Sequence, residues 1–135
     1  MRYEIDDPVL HYYDAGQTGI TVPVKLACGQ LSQSLSAKLD TGSSLCIFRR
    51  GVGEALGFDV ETGTPQWVST VTGSFLTFGH EVTLSTLGIE YNTMVYFAHD
   101  KEIRRDVLGR FGWLQQLKVG LVDYEGRLYV GRYGV

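Results

Sequence analysis

Glycine divides this chain into many short apolar runs. The chain has 17 glycines among its 135 residues. Short apolar runs bounded by turn residues are typical of strands, and frequent turns leave little room for long helices. A chain of this length is large enough to form one domain with its own core. The sequence therefore predicts a single, mostly β domain over residues 1–135 with one or two short helices.

The predicted elements follow from the runs between these turns. One or two helical turns that end at a glycine are predicted for residues 51–57, and about two more for residues 111–117. Residues 58–66 and the charged run 99–106 are predicted to be loops. The predicted strands span residues 19–28, 33–39, 67–71, 74–78, 81–87 and 89–98, and a terminal hairpin joins residues 121–124 to residues 128–130.

Charge is small and spread along the chain. The net charge is -3 at pH 7 and the basic residues form no stripe, so nucleic acid is not expected as the main partner. No apolar stretch approaches the length of about eighteen residues that a membrane span requires. Residues 1–8 lack the apolar segment of a signal peptide. We therefore expect a soluble cytoplasmic protein without a membrane partner.

Cysteine and histidine form no pattern typical of a metal site or of a disulfide framework. Cys28 and Cys46 lie in apolar, strand-like surroundings, where free cysteine behaves as a small hydrophobic residue. Buried reduced thiols are favoured over a bridge between them. His11, His80 and His99 lack ligand spacing, which favours surface or hydrogen-bonded roles. No metal or other cofactor is expected.

One carboxylate occupies a special position in this pattern. The alternating run 35–39 leads directly into residues 40–44, Asp-Thr-Gly-Ser-Ser, after which the apolar run 45–48 follows. The pattern predicts that one strand ends at Asp40, that a tight turn follows, and that a second strand begins after the turn. Three matching residues alone are a weak signal, so the surrounding pattern matters more than the triplet.

A second motif, Asp-Val-Leu-Gly-Arg, occupies residues 106–110. Taken in this order, the two motifs make the chain resemble the retropepsin-like aspartic proteases, the single-domain relatives of pepsin that include the retroviral proteases. In that family an apolar-apolar-Gly-Arg element supports the loop that bears the catalytic Asp. The resemblance covers roughly residues 19–129. Its specificity rests on the pair, because neither motif would suffice alone.

The resemblance implies a retropepsin-like acid protease fold and hydrolysis of peptide bonds. One ionised carboxylate can take a proton from water, but a second group must protonate the leaving amide. Two carboxyls held about 3 Å apart share one proton and supply both functions, as is known for aspartic proteases. This chain has one Asp-Thr-Gly. The second Asp would therefore come from a second copy in a symmetric homodimer.

The resemblance also implies a role for each motif residue. Asp40 would be the catalytic carboxylate, and Thr41 would hydrogen-bond across the two-fold axis, although a turn also favours Thr. Gly42 would let the substrate backbone approach, because a side chain there would project into the cleft. Ser43 would donate its hydroxyl to Asp40. Gly109 would support the active-site loop.

A hairpin is predicted around residues 67–78, with Thr72-Gly73 as its connection. In the family a mobile hairpin called the flap occupies this place. The implied flap residues, which would bind substrate, are Val71, Thr72, Gly73 and Ser74. An ordinary surface hairpin is the alternative, since the tip is less rich in glycine than in the retroviral proteases.

The chain departs from the retroviral pattern at Ser44, where those proteases have an Asp that pairs with the Arg of the later motif. Arg110 therefore lacks its usual partner. The implied substrates are extended peptides or proteins with apolar residues beside the scissile bond. The residues 128–130 are expected to contribute to the dimer interface.

Two other interpretations remain open. The same fold without activity would serve as a peptide-binding or dimerisation module, because a cleft and dimer contacts do not depend on turnover. One lobe of a larger two-lobed enzyme is disfavoured, because the chain contains both motifs and a terminal hairpin.

Overall fold

The computed structural model describes residues 4–133. Residues 1–3 and 134–135 of the predicted domain lie outside this range. The helix α1 spans Arg50–Ala55, and single turns of 3₁₀ helix span Val60–Thr62, Leu114–Gln116 and Asp123–Glu125. The strands are β1 (Val9–Tyr12), β2 (Thr21–Cys28), β3 (Leu31–Leu39), β4 (Ile47–Phe48), β5 (Thr64–Thr70), β6 (Gly73–Thr86), β7 (Ile89–Ala98), β8 (Val107–Leu108), β9 (Leu117–Val122) and β10 (Arg127–Arg132).

Seven strands form one sheet in the order β2-β3-β8-β4-β7-β6-β5, and β2 also pairs with β6. This extra pairing closes the sheet on itself and leaves β5 as a flanking strand. Side chains of β2 alternate between the interior and solvent, with Val22, Val24 and Leu26 buried. Such alternation places one face of each strand in a common core.

The core is centred on large side chains that are fully buried, among them Phe48, Phe97 and Trp113. Helix α1 packs directly on this core, since an added Cβ at Gly53 would lie 2.8 Å from the Phe97 ring. The helix ends before Gly57, which has a φ of +86°. A glycine in a left-handed conformation is a common helix terminus because it has no Cβ to clash.

The terminal strands form a second sheet in the order β1-β10-β9. Both edges of β10 are therefore paired within the chain, and Leu128 and Val130 are fully buried. The expectation that residues 128–130 contribute to a dimer interface stays a prediction, and neither edge of these three residues is left open for it. The central position of β10 depends on a pairing with β1, which is more than a hundred residues earlier in the sequence.

The prediction of a mostly β fold with one or two short helices is confirmed. The predicted strands 74–78 and 81–87 are parts of the single strand β6, because Gly79 does not interrupt it. An added Cβ at Gly79 would lie 2.7 Å from the Tyr96 ring. Glycine is thus required here by close packing of a neighbouring side chain.

Two further predictions of local structure were wrong. Residues 111–117 contain only the 3₁₀ turn at Leu114–Gln116, because Gly112 has a φ of +95° and interrupts any helix that starts at Phe111. Residues 58–66 contain a 3₁₀ turn and the beginning of β5. No helix among residues 4–133 is long and apolar enough to span a membrane.

Candidate active site

Asp40 lies at the end of β3, where the strand meets the second motif. Strands β3 and β8 are parallel, with Leu39 opposite Leu108. The Asp40 N–H donates to the Leu108 carbonyl at 2.9 Å. The Leu39 N–H donates to the Ile20 carbonyl at 2.8 Å. The backbone beside the carboxylate is therefore held by β8 and by the segment that leads into β2.

The carboxylate of Asp40 organises its own turn. The Gly42 N–H donates to Asp40 Oδ1 at 2.9 Å, and the Ser43 N–H donates to the Asp40 carbonyl at 3.2 Å. This is the Asx-turn geometry in which a side-chain oxygen replaces a backbone acceptor. Thr41 and Gly42 are exposed beside it, and the Thr41 hydroxyl makes no hydrogen bond within residues 4–133. The turn thus presents one carboxylate and two exposed residues on a common surface.

The Ser43 hydroxyl donates to the Leu45 carbonyl at 2.7 Å. This contact contradicts the prediction that Ser43 donates to Asp40. The acceptor is a main-chain oxygen two residues further along the same loop. Ser43 therefore braces the loop internally, and the Asp40 carboxylate accepts its hydrogen bond from the Gly42 backbone.

The second motif packs against the back of this loop. The Arg110 N–H donates to the Ser43 carbonyl at 2.9 Å, and the Phe111 N–H donates to the Ser44 carbonyl at 2.8 Å. An added Cβ at Gly109 would lie 2.2 Å from the Leu45 carbonyl oxygen. That distance is far below any real contact, so residue 109 must be glycine for the two segments to approach this closely.

A buried thiol lies between the two motifs. The Cys46 Sγ accepts a hydrogen bond from the Gly109 N–H at 3.4 Å. Burial raises the pKa of the Cys46 thiol to about 11, against the opposite effect of the Gly109 N–H. Cys28 and Cys46 are both free, as predicted, but Cys46 is buried whereas Cys28 is only partly buried. Within residues 4–133, no group of His, Cys, Asp and Glu side chains is arranged to hold a metal ion.

An ion pair that the sequence analysis did not identify joins the segments beside the two motifs. The Arg49 Nε lies 3.0 Å from Asp106 Oδ2, and the Arg49 N–H donates to Asp106 Oδ1 at 3.0 Å. Asp106 thus anchors the second motif to Arg49, at the end of a segment, residues 99–106, that forms a loop as predicted. Arg110 forms no ion pair within residues 4–133, and its guanidinium lies 5.6 Å from the centre of the Phe111 ring. The sequence did contain a signal for this ion pair, because Arg49 and Asp106 carry opposite charges and lie next to the two motif segments that pack together.

A cleft with a volume of about 540 Å³ opens between the loop of Asp40 and the hairpin of β5 and β6. Its wall on the hairpin side consists of residues 66–69 of β5. Its lining combines apolar and polar side chains with two ionisable groups. The lining residues are Asp40, Gly42, Ser43, Ser44, Leu45, Ile47, Gln66, Trp67, Val68, Ser69, Arg105 and Phe111.

The predicted hairpin is present, but its tip is shifted by one residue. Thr70 pairs with Gly73, so Val71 and Thr72 form the connection. Val71, Thr72, Gly73 and Ser74 are all exposed and do not line the cleft within one chain. The part of the hairpin that borders the cleft is β5. Gly73 has a φ of +150°, which side chains rarely adopt, and this conformation fixes where β6 begins.

The arrangement defines a retropepsin-like fold with a carboxylate-bearing turn at a cleft. The chain is similar to the solved structure of EIAV protease complexed with the inhibitor HBY-793, with a TM-score of 0.57 and 23% sequence identity. The match covers 73% of this chain and 86% of that chain. No family model matches the sequence, and no curated protein matches it. The likeness therefore shows the fold.

Proposed function

We propose that the protein is an aspartic endopeptidase that is active as a homodimer. The observation that carries the proposal is the position of Asp40, whose turn lines a cleft of about 540 Å³ in a retropepsin-like fold. The turn is held from behind by Gly109 and the two backbone hydrogen bonds from residues 110 and 111. A rigid carboxylate at an open cleft is suited to act on a bound peptide and a water molecule.

One chain supplies half of the required chemistry. Within the lining of the cleft, Asp40 is the only carboxylate. A symmetry-related Asp40 from a second chain would provide the other half, so that the pair shares a proton and acts as base and acid in turn. The exposed Thr41 and Gly42 lie on the same turn, and there they would meet the partner turn and the substrate backbone.

The cleft is suited to an extended peptide. Within residues 4–133, strand β5 pairs only with β6 and is the end strand of its sheet, so no strand covers its outer edge. An extended peptide can add to such an edge through main-chain hydrogen bonds. Leu45, Val68 and Phe111 offer apolar surface for alternate side chains. The flap role of residues 71–74 would then require closure over the peptide.

Replacement of Asp40 by Asn tests the mechanism. We expect Asp40→Asn to lower kcat/KM by about a thousandfold or more, since proton transfer by the dyad is lost. Asp14→Asn is a matched control, because Asp14 Oδ1 accepts from the Gly16 N–H at 2.9 Å in the same type of turn but outside the cleft. The measurement is a peptide-library digest followed by mass spectrometry, with and without a pepstatin-type inhibitor. Turnover retained by Asp40→Asn would rule out the mechanism.

The same variant separates an enzyme from an inactive binding module. A module of this fold would bind its peptide with equal affinity before and after Asp40→Asn, and the unchanged protein would cleave no peptide in the library. An enzyme would cleave a subset of peptides, and the cleavage would stop in the variant.

A further inference from the structure

Arg105 is a cation in the lining of the cleft. It lies between β7 and β8 in the segment 99–106. Asp40 and Arg105 are the ionisable residues among those that line the cleft, and the remaining lining is apolar or neutral. A peptide that occupies the cleft therefore meets one positive charge from each chain in addition to the carboxylate dyad.

The Arg105 guanidinium is positioned but not neutralised. It lies 5.7 Å from the centre of the Phe75 ring of β6, which orients it by a cation–π contact. No carboxylate between residues 4 and 133 pairs with it. By contrast, Arg49 pairs with Asp106, and Arg50 pairs with Glu61. Arg105 thus keeps its hydrogen-bond donors available to a ligand.

A bound peptide would remove water from this guanidinium. An apolar side chain placed against it would leave the charge without compensation, which is costly. A carboxylate would accept two parallel hydrogen bonds from its planar fork. The local charge therefore favours an acidic side chain over the apolar one that the family resemblance implies.

We propose that Arg105 is a specificity-determining residue that binds a carboxylate side chain of the peptide, close to the scissile bond. This inference rests on the proposed function, because it assumes that peptides occupy the cleft. In a symmetric dimer each chain would contribute one Arg105, so that one guanidinium would lie on each side of the pair of Asp40 carboxylates. Substrates would then carry Glu or Asp at one or both of two positions related by the two-fold axis.

The neighbouring Arg104 supplies a matched control. Its side chain lines a separate pocket of about 390 Å³ together with Arg49, Arg50 and Lys101. Arg104 and Arg105 are adjacent in sequence and carry the same charge, but they face different cavities. Replacement of either arginine by Gln removes one positive charge from the protein. A difference in peptide preference between the two variants is therefore due to the position of the charge and not to the net charge.

The experiment uses peptides with one fixed apolar junction. Glu, Gln or Lys is placed at each of the four positions on either side, and kcat/KM is measured. We expect Glu to exceed Gln by about five- to tenfold at one position, as for a partly exposed ion pair. Arg105→Gln should remove the preference, Arg105→Glu should favour Lys, and Arg104→Gln should change neither. The preference should shrink at high salt.

A binding measurement keeps this test independent of turnover. The Asp40→Asn protein is titrated with the same fluorescent peptides, with and without Arg105→Gln. Tighter binding of the Glu peptide that is lost in Arg105→Gln supports the inference. If the unchanged protein at the same time cleaves no peptide, the proposed peptidase function is refuted and the role of Arg105 in binding stands. Equal binding of Glu and Gln peptides at every position, or a preference that survives Arg105→Gln, overturns it. Absence of any peptide binding overturns both proposals.

Discussion

Gly109 shows how single residues hold the candidate site together. Its backbone contacts the Ser43 and Leu45 carbonyls so closely that an added Cβ would lie 2.7 and 2.2 Å from their oxygens. Both contacts are with main chain, which cannot rotate away as a side chain does. The loop of Asp40 must therefore move if residue 109 has any side chain.

We expect Gly109→Ala to destabilise the protein by about 1 to 3 kcal/mol, as for insertion of a methyl group into a packed interior. Peptidase activity should fall with it, because the Asp40 turn is displaced. Gly51→Ala is the control: residue 51 lies in α1 and an added Cβ meets nothing within 4 Å. That change should stabilise the helix by roughly 0.5 to 1 kcal/mol. Urea unfolding curves and kcat/KM of both variants check this prediction. Unchanged stability and unchanged activity of Gly109→Ala would contradict it.

At the scale of elements, one ionic cluster holds α1 against its neighbours. Arg50 pairs with Glu61 of the first 3₁₀ turn and donates to the His99 carbonyl at 3.1 Å. The hydrogen bond from Arg50 lowers the pKa of Glu61 from its ordinary value of 4.5 to about 2. The cluster therefore keeps its negative charge under the acidic conditions in which many carboxylates are protonated.

Glu61 makes the stability of this cluster depend on pH in a defined direction. Because its pKa is lowered on folding, its contribution is fully present above about pH 4.5 and is lost as pH falls towards 2. We expect Glu61→Gln to lower Tm at pH 6, with the difference from the unchanged protein shrinking between pH 4.5 and 2. Glu102→Gln is the control, because Glu102 forms no ion pair within residues 4–133. A difference in Tm that stays constant across this range would disprove the linkage.

At the scale of the whole molecule, the chain contains a closed barrel-like sheet and a complete terminal sheet, but only one Asp-Thr-Gly carboxylate. The sheet β1-β10-β9 forms within a single chain. Folding of the protomer therefore does not require a partner strand at β10. A second chain would be needed for the second Asp40.

Assembly makes activity depend on concentration. We expect specific activity to fall on dilution below the dimer dissociation constant. A tenfold excess of Asp40→Asn chain should lower wild-type activity by roughly tenfold, because most wild-type chains then sit in mixed dimers. Asp14→Asn added in the same excess should not inhibit. A monomer with full specific activity in sedimentation would refute the shared site.

Local patterns in the sequence were sufficient for much of the fold. Alternation predicted β2 and β3, and turn residues predicted the hairpin around Thr72 and the beginning of β7 after Gly88. The turn at Asp-Thr-Gly was also predicted. These features depend on side-chain periodicity and backbone conformation over a few residues, which the sequence specifies directly.

The remaining features depend on neighbours that are distant in sequence. Gly79 lies inside a continuous strand because the Tyr96 ring packs against it. Gly112 interrupts a helix because its φ is positive. The Arg49–Asp106 pair, the acceptor of the Ser43 hydroxyl and the exposure of Arg105 to the cleft likewise follow from how separate segments meet. The sequence by itself determined strands β2, β3 and β7 and the turn that carries Asp40. Only the tertiary structure decided which donors, charges and edges remain unpaired around it, because pairing is a property of segments brought together by folding.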